Sequence, residues 1–545
     1  MPSLFSLLAA GGALLVLHLI SRITRKPLSK LRGPKASSLL AGKYGYEYDL
    51  FNQKSAGDKE YKWYQEYGTA FRINGPYGEE VLMTADPKAL QHILQTSGKS
   101  LIRRRISRLF DKGVVWAEGD IHQRHRKVLN PAFSAQQLRQ FLAIFRESVS
   151  HLTRKWKEDI TQGGSNEKQI NIPFWLSRMT LDIIGKTSFD FDFGALDNKE
   201  GVPLRLKFQN LFQDSVQPTK ANMVHRTLER YAPSIFRMFP SKEDIRHRDF
   251  ANETRKIARD IYARKDLVND EKKGGKDILS VLARANHDED PKKRLNDSEV
   301  LAQVAILLSG QETISFSTTY LLYELSRHLE DQTRVYHEIR NLRAQIGQDK
   351  VPSSNDYDSM PYFNAVIKEA LRLHSILIDV QREAVNDDVI PLEFPVTTLS
   401  GETVNQIPVR KGQRIHISLG ASNRLKCVWG PDASDWNPSR FLEPGYKRIS
   451  ETNVGVTNNL CIRVGGGNRA CIGWLFALME MQSILFGLLE SFEFVFPTVP
   501  SKSNPAEVED EYELQRVPLS LMIPAVKGTE FRGPAAPLQV KIRHS

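Results

Sequence analysis

Strand-like segments sit near both ends of this 545-residue chain, with a long helical stretch between them. Near the N-terminus, TAFRINGPYGEEVLMTADPKAL (69–90) sets two short apolar runs around the turn signal GPYG, which predicts a β-hairpin. Far downstream, VIPLEFPVTTLSGETVNQIPVRKGQRIHISL, within 386–420, is strand-like again, and from about 495 the chain is proline-rich and extended. From about 120 to 345 apolar residues recur three and four apart with few prolines, the texture of packed helices. TQGGSNEK (161–168) and NHDEDPKKR (286–294) are the loop signals within it. A sheet that draws strands from both ends cannot be closed by either half alone. Length by itself would allow about three or four domains, but no Gly-, Pro- or Ser-rich linker and no internal repeat divides the chain. The expectation is one mainly α domain with a minor β-sheet, an α+β fold, over 41–545.

The first 21 residues, MPSLFSLLAAGGALLVLHLIS, carry no charged side chain, and the next fourteen, RITRKPLSKLRGPK, hold six basic residues and no acid. About 20 apolar residues span a bilayer. A cleaved signal peptide has its basic residues before the apolar run; here they follow it. The segment 1–21 is therefore expected to be a retained transmembrane signal-anchor and 22–40 a basic, proline-containing hinge. The positive-inside rule then leaves the rest of the chain in the cytosol, where the sequons at Asn252 and Asn296 stay unglycosylated. Three cysteines cannot build a disulfide framework, which points to a reducing compartment. The net charge of +11 is spread among 75 basic and 64 acidic side chains, which reads as a solvated surface, against an anionic membrane face or an acidic partner, and no nucleic-acid partner is expected.

Four short stretches carry chemistry. VGGGNRACIGW (464–474) puts Cys471 after a triple glycine and an arginine, just before an apolar helix. Glycine is entropically costly, so three together imply a tight turn or a close approach, and helix N-terminal N–H groups favour a thiolate. Cys427 in LKCVW and Cys461 in NLCIR lack this setting and read as core cysteines. No C-x-x-C or Cys/His spacing suits zinc or an iron–sulfur cluster. A single thiolate needs a metal already held by something else, and haem meets that need. AILLSGQETISFSTTYLLYEL (305–325) reads as a core helix with Gly310, Glu312 and Thr313 in its middle: a satisfied polar pair, or an opening for a bound molecule beside an acid–alcohol relay. In IKEALRLH, Glu369 and Arg372 share one helix face, the spacing of an ordinary surface ion pair. In WNPSRFLEP, Arg440 follows a proline turn.

In this order and spacing the motifs resemble those of the cytochrome P450 superfamily, the haem-thiolate monooxygenases, over essentially the whole chain. VGGGNRACIG resembles the haem loop F-x-x-G-x-R-x-C-x-G, matching at Gly467, Arg469, Cys471 and Gly473, with Val464 where the family has Phe. SGQETI resembles [AG]-G-x-[DE]-T-[TS], matching at Gly310, Glu312 and Thr313; Ser309 is a small-residue variant and Ile314 a departure. EALR is the E-x-x-R motif, and PSRF resembles P-E-R-F with Ser439 for Glu. GDIHQRHRKVLNPAF (119–133) resembles the haem-contacting helix W-x-x-x-R, with His122 at the Trp position and Arg126 kept.

The resemblance implies the cytochrome P450 fold with haem b as cofactor and Cys471 as axial iron ligand. Arg469, Arg126, His122 and, in DVQREAV, Arg382 would meet the propionates, while Gly467 and Gly473 shape the loop around the sulfur. O2 would be the co-substrate beside Gly310, with Glu312 and Thr313 passing protons through ordered water. Glu369, Arg372 and Arg440 would form a buried ionic network that fixes the loop leading to Cys471. His122, with an unperturbed pKa of about 6.5, would donate to a propionate and carry charge near working pH; the competing reading is a surface residue on an amphipathic helix. With no flavin or nicotinamide domain in view, electrons would come from NADPH through a separate NADPH–cytochrome P450 reductase, with cytochrome b5 as a second donor and Lys127 among the docking residues. The anchor would place the enzyme in the endoplasmic reticulum membrane, facing the cytosol.

Pocket specificity is expected in 101–116, 203–240, 301–314 and 375–381, where Leu, Ile, Val and Phe outnumber fixed charges and favour a lipophilic substrate. NPAF and FDFDFGALD resemble fungal microsomal members that decorate terpenoids or other secondary metabolites. Two other functions stay open at this level. A non-oxygenating haem-thiolate isomerase or dehydratase would share Cys471 but have no use for the QET acid–alcohol pair. A fatty-acid or xenobiotic hydroxylase would keep every motif and differ only in its substrate.

Overall fold

The computed structural model describes residues 28–34, 50, 53, 55–75, 79–95, 99–100, 111–197, 238, 240–264, 275–287, 289–290, 293–442, 469–501, 508–518 and 521–543. The apolar segment 1–21, most of the 22–40 hinge, Cys461, Val464 and Gly467 lie outside the described residues, as do 101–110 and 203–237 of the expected pocket. Among the described residues no helix is long and apolar enough to cross a membrane.

The two ends of the chain meet in one sheet. Strands β1 (Ala70–Asn74) and β2 (Glu80–Thr84) form the expected antiparallel hairpin, with Phe71 opposite Met83. β2 then runs parallel to β8 (Arg414–Ser418), which pairs with β5 (Asp379–Glu383), and β5 with the two-residue β3 (Lys99–Ser100). β2 and β8 are buried at every position, as strands covered on both faces are. A long hairpin, β6 (Asp388–Thr397) and β7 (Thr403–Val409), stands beside this sheet.

The helical body holds α1 (Glu60–Tyr67), α2 (Gly119–Leu129), α3 (Leu142–Gln162) and α4 (Ile172–Phe189). After them come α5 (Asp297–Leu308), α6 (Gly310–Arg327), α7 (Leu329–Ile346), α8 (Pro361–Leu373) and α9 (Trp474–Ser491), with further helices between, Lys242–Arg264 among them. α9 is apolar all round, WLFALMEMQSILFGLLES, and its residues from Met479 to Leu489 are buried, as a helix lacking a polar face must be. α3 packs closely on it. A Cβ added at Gly487 would lie 2.5 Å from Val149 Cγ1, so only glycine lets the two helices approach this far. Phe145 and Phe476 meet edge to face at 5.2 Å in the same contact.

Three sequence expectations need correction. The 161–168 loop runs into a strand, β4 (Glu167–Asn171), which pairs with β14 (Pro537–Ile542), itself paired with β9 (Phe492–Val495). In EKQIN the first three residues are exposed and only Ile170 is buried, so this edge strand has no apolar alternation to read. The core helix over 305–325 is in fact broken at Ser309, between α5 and α6, where Ser309 Oγ donates to the Ile306 carbonyl at 2.6 Å. Gly310 therefore opens a helix instead of interrupting one. Cys427 is exposed, not in the core: in the short helix Lys426–Trp429, Val428 and Trp429 take the inward positions.

The remaining C-terminal strands, β10 (Thr498–Pro500) with β11 (Val508–Asp510) and β12 (Leu514–Pro518) with β13 (Met522–Val526), form two small hairpins. The Met522 N–H donates to the Ile376 carbonyl at 2.9 Å, tying the β12–β13 pair to the segment that follows α8.

Candidate active site

Cys471 lies two residues before the cap of α9, Gly473. Burial, the largest influence, pushes its thiol up, while the Gly473 N–H bonded to the sulfur and the charge of Arg126 act the other way. The residue is still open to solvent. Gly473 has φ −85°, and among the described residues a Cβ there would meet nothing closer than Phe133 Cε1 at 3.8 Å. The backbone does not demand glycine at this position.

Cations gather around the thiol. Arg126, on α2, donates from Nη1 to the Ala470 carbonyl at 3.0 Å, and Arg469 donates to the Ala117 carbonyl just before α2. His122 stands one turn before Arg126 and is 7 % exposed. Burial, then Arg469 and Arg126, push His122 down to about 4. These influences favour its neutral form, and it is not a surface residue. Arg382, on β5, is pushed down to about 10 by burial and then by Arg469, with Glu118 opposing. Arg126 is lowered by burial, with Cys471 opposing. Arg382 and Arg469 repel one another, and together with Arg126 beside the thiol they suit an occupant that is anionic at its edge and offers a metal to sulfur. Haem fits this donor set: its iron would take the Cys471 sulfur, and its propionates would lie against Arg126, Arg382 and Arg469.

The α5–α6 break presents a second group of residues. Thr313 Oγ1 donates to the Gly310 carbonyl at 2.8 Å, and Thr313 is half-buried. A Cβ on Gly310 would come within 3.3 Å of Ile184 Cδ1, so the break sits tight against α4. Glu312 is 3 % exposed and turns toward α4, where Ser177 Oγ donates to its Oε2 at 2.7 Å. Ser315 Oγ lies 3.1 Å from Ser177 Oγ, and Thr180 Oγ1 donates to the Gln311 carbonyl at 3.1 Å. Ser177 and Thr180 escaped sequence reasoning. Their signal is a pair of hydroxyl residues three apart in a helix otherwise apolar enough to be a core element.

Glu369, Arg372 and Arg440 meet in one buried cluster. All five N–H donors of Arg372 are used: two reach Glu369 at 2.7 Å, and three reach the carbonyls of Asn423, Ala433 and Asp435 at 2.7, 2.6 and 3.1 Å. Arg440, in the short 3-10 turn Pro438–Phe441, donates from Nε to Glu369 Oε1 at 3.0 Å and from Nη2 to Asp432 Oδ2 at 3.0 Å. The Asn437 N–H adds a further bond to Glu369 at 2.8 Å. The chain from 443 to 468, which joins this turn to the Cys471 segment, lies outside the described residues. Lys127 is exposed and paired with Glu289 at 2.7 Å.

The family model described as Cytochrome P450 matches residues 50–518. Cytochrome P450 monooxygenase claP of Ampulloclitocybe clavipes is 32 % identical over 97 % of this chain and 96 % of its own. Cytochrome P450 monooxygenase 128 of Postia placenta is 32 % identical over 89 % of this chain and 90 % of its own. Cytochrome P450 monooxygenase claQ of Ampulloclitocybe clavipes is 31 % identical, covering 89 % of each.

Proposed function

This chain belongs to the cytochrome P450 family of haem-thiolate monooxygenases, and from that premise we propose that it oxidises a cyclic terpenoid in secondary-metabolite biosynthesis. Family membership brings haem b, O2 as co-substrate and NADPH-derived electrons through a reductase. The proposed setting is the endoplasmic reticulum membrane, anchored by 1–21, with the catalytic domain in the cytosol. Support for a lipophilic substrate comes from α5 and the segment after α8, where Leu301, Ile306, Leu307 and Leu377 are half-buried and apolar.

When bound, haem supplies activation of O2, and its thiolate ligand favours O–O cleavage. The polypeptide does the rest. Cys471 offers the thiolate, held by the Gly473 N–H and the Arg126 charge. Arg126, Arg469, Arg382 and His122 orient the cofactor through its carboxylates. Thr313 parks its hydroxyl proton on the Gly310 carbonyl, which leaves its oxygen lone pairs free to accept a proton donor. Glu312 is the adjacent acid that brings protons to it. Glu369, Arg372 and Arg440 act in folding and cofactor retention, not in the chemistry.

The observation that carries this reading is the thiol of Cys471 at the head of α9 with Arg126 beside it, and Arg469 close enough to Arg382 to lower it. The test is expression with a reductase and NADPH, followed by O2 consumption and product profiling across terpenoid, fatty-acid and xenobiotic candidates. A matching oxidised terpenoid and a type I spectral shift support the reading. Shifts with fatty acids or xenobiotics alone sink the terpenoid assignment, and O2 use without an oxidised product sinks the monooxygenase role. Thr313→Ala should bind cofactor and substrate but divert reducing equivalents to hydrogen peroxide.

A further inference from the structure

From Gly113 to Ala117 the chain makes one tight turn: the Gly113 carbonyl accepts the Trp116 and Ala117 N–H groups, both at 3.0 Å. The turn is held from three sides. Just before it, Asp111 lies in the left-handed region at φ 54° and takes two bonds from Arg255, on the helix Lys242–Arg264, at 2.7 and 3.0 Å. In its middle, the Val114 N–H donates to Gln303 Oε1 on α5 at 3.0 Å. At its end, the Ala117 carbonyl accepts from Arg469, two residues before Cys471. One turn of chain therefore bridges α5 and the Cys471 segment, along the side of the space between them.

The turn rests directly on α5. A Cβ on Gly113 would lie 2.3 Å from Ile306 Cδ1 and 3.2 Å from the Ala302 carbonyl oxygen, so only glycine allows this approach. Ile306, the side chain under the turn, is one of the half-buried apolar residues of α5.

Gln303 is 1 % exposed, and its neighbours fix the orientation of its amide. A backbone N–H only donates and a carbonyl only accepts. Val114 therefore requires the amide oxygen, and the amide nitrogen faces the Glu299 carbonyl at 3.0 Å and His125 Nδ1 at 3.2 Å. Nδ1 must then accept, which puts the His125 proton on Nε2, 3.2 Å from Glu299 Oε1. Arg124 donates to both oxygens of the same carboxylate. Turning the amide over would set N–H against N–H at Val114 and oxygen against oxygen at the Glu299 carbonyl. His125, fully buried on α2, thus helps to keep the amide oxygen toward the turn.

We propose that Gln303 is a positioning residue for substrate selection: it clasps the 113–117 turn to α5 and so fixes how bulky a molecule the space between α5 and the cofactor edge admits. The inference rests on the reading of that space as the cofactor and substrate cavity. It explains why Gln303 is the one polar side chain buried along α5, among Val300, Ala302, Val304, Ala305 and Leu308.

Three variants separate the clasp from general stability. Gln303→Leu removes the acceptor for Val114 together with the donors to Glu299 and His125. Gln303→Glu keeps an oxygen for Val114 whether it is ionised or protonated. Gly113→Ala leaves the amide in place and pushes the turn off Ile306 and Ala302 from the other side. The first readout is deuterium uptake by a peptide covering 111–118 in the full-length holoenzyme. Uptake should rise in Gln303→Leu and stay at the wild-type level in Gln303→Glu. The second is the pair of dissociation constants for imidazole and the bulkier 4-phenylimidazole, from their Soret shifts. Gln303→Leu and Gly113→Ala should favour the bulkier azole by about threefold to tenfold relative to wild type, the equivalent of one hydrogen bond. Gln303→Glu should keep the wild-type ratio. A general weakening of the fold lowers both affinities together and leaves their ratio alone. An unchanged ratio in Gln303→Leu and Gly113→Ala, or equal changes in Gln303→Leu and Gln303→Glu, overturns the proposal. If Gln303→Leu does not retain the cofactor, the ratio in Gly113→Ala decides the matter. If the wild type binds neither azole, it is the cavity reading that fails, and deuterium uptake still tests the clasp.

Discussion

Arg372→Lys tests whether the buried cluster depends on charge or on the shape of the guanidinium. The substitution keeps a cation next to Glu369. It replaces five donors in a planar fork with three on a single nitrogen. Arg372 is 0 % exposed and uses all five donors, two on Glu369 and three on the carbonyls of Asn423, Ala433 and Asp435. An ammonium that stays on Glu369 leaves at least two of those bonds unmade, with no water to replace them. Hydrogen bonds to a charged group are worth about 1.5–3 kcal/mol each, so the expected loss is about 3–6 kcal/mol. Arg440→Lys should cost less, because its partner Asp432 is partly exposed and Glu369 keeps Arg372. The assay is denaturant unfolding of both variants and wild type, with cofactor retention measured in parallel. An Arg372→Lys midpoint equal to wild type, or a larger loss in Arg440→Lys, would show that charge alone holds the cluster.

Cys471→Ala should abolish the red-shifted Soret band of the reduced carbon monoxide complex, whereas Cys427→Ala and Cys461→Ala should keep it; loss of the band in Cys461→Ala alone would unseat Cys471. His122→Trp should be nearly neutral because a donor remains, and His122→Phe should weaken cofactor retention by about 1.5–3 kcal/mol; equal retention in His122→Phe and wild type, by haem titration, removes His122 from the site. Burial pushes Glu60 on α1 up from 4.5 to about 7, with His416 opposing. The folded state then keeps a proton that the unfolded chain releases above 4.5, so this group's contribution falls by about 3 kcal/mol between about pH 4.5 and 7 and is flat above. Glu60→Gln should remove that fall, and an unchanged slope of stability against pH refutes the assignment.

The β1–β2 hairpin and β8 were legible because they carry apolar runs between clear turn signals; β5, DVQRE, with one apolar residue in five, was not. Nor was β4, since an edge strand exposed along most of its length needs no apolar pattern, and its partner lies far off in sequence. The break at Ser309 hides for a related reason: α5 and α6 are both apolar enough that their joined sequence reads as one core helix. At the site, Cys471 stood out through its glycines and the helix behind it. Glu369 and Arg372 looked like a surface pair, because spacing reports that two residues share a face and not that the face is buried. Only the fold brings the Asn423, Ala433 and Asp435 carbonyls to Arg372. Ser177 was illegible because its role depends on which helix lies across from it.

The pairing of β4 with β14 and of β14 with β9 also bears on how the chain is made. β14 is the central strand, with Leu538 opposite Ile170 and Val540 opposite Phe494. At roughly 5–20 residues per second of synthesis, β4 leaves the ribosome tens of seconds before the strand that will cover it. Until then β4 and β9 are two open edges, and Phe492 and Phe494, fully buried in the finished protein, have no lid. Aggregation is a greater risk in that interval than at any later time. A premature stop codon at position 537, which removes β14 and the residues after it, would make the interval permanent, and quality control should degrade a product that still contains every residue of the catalytic apparatus.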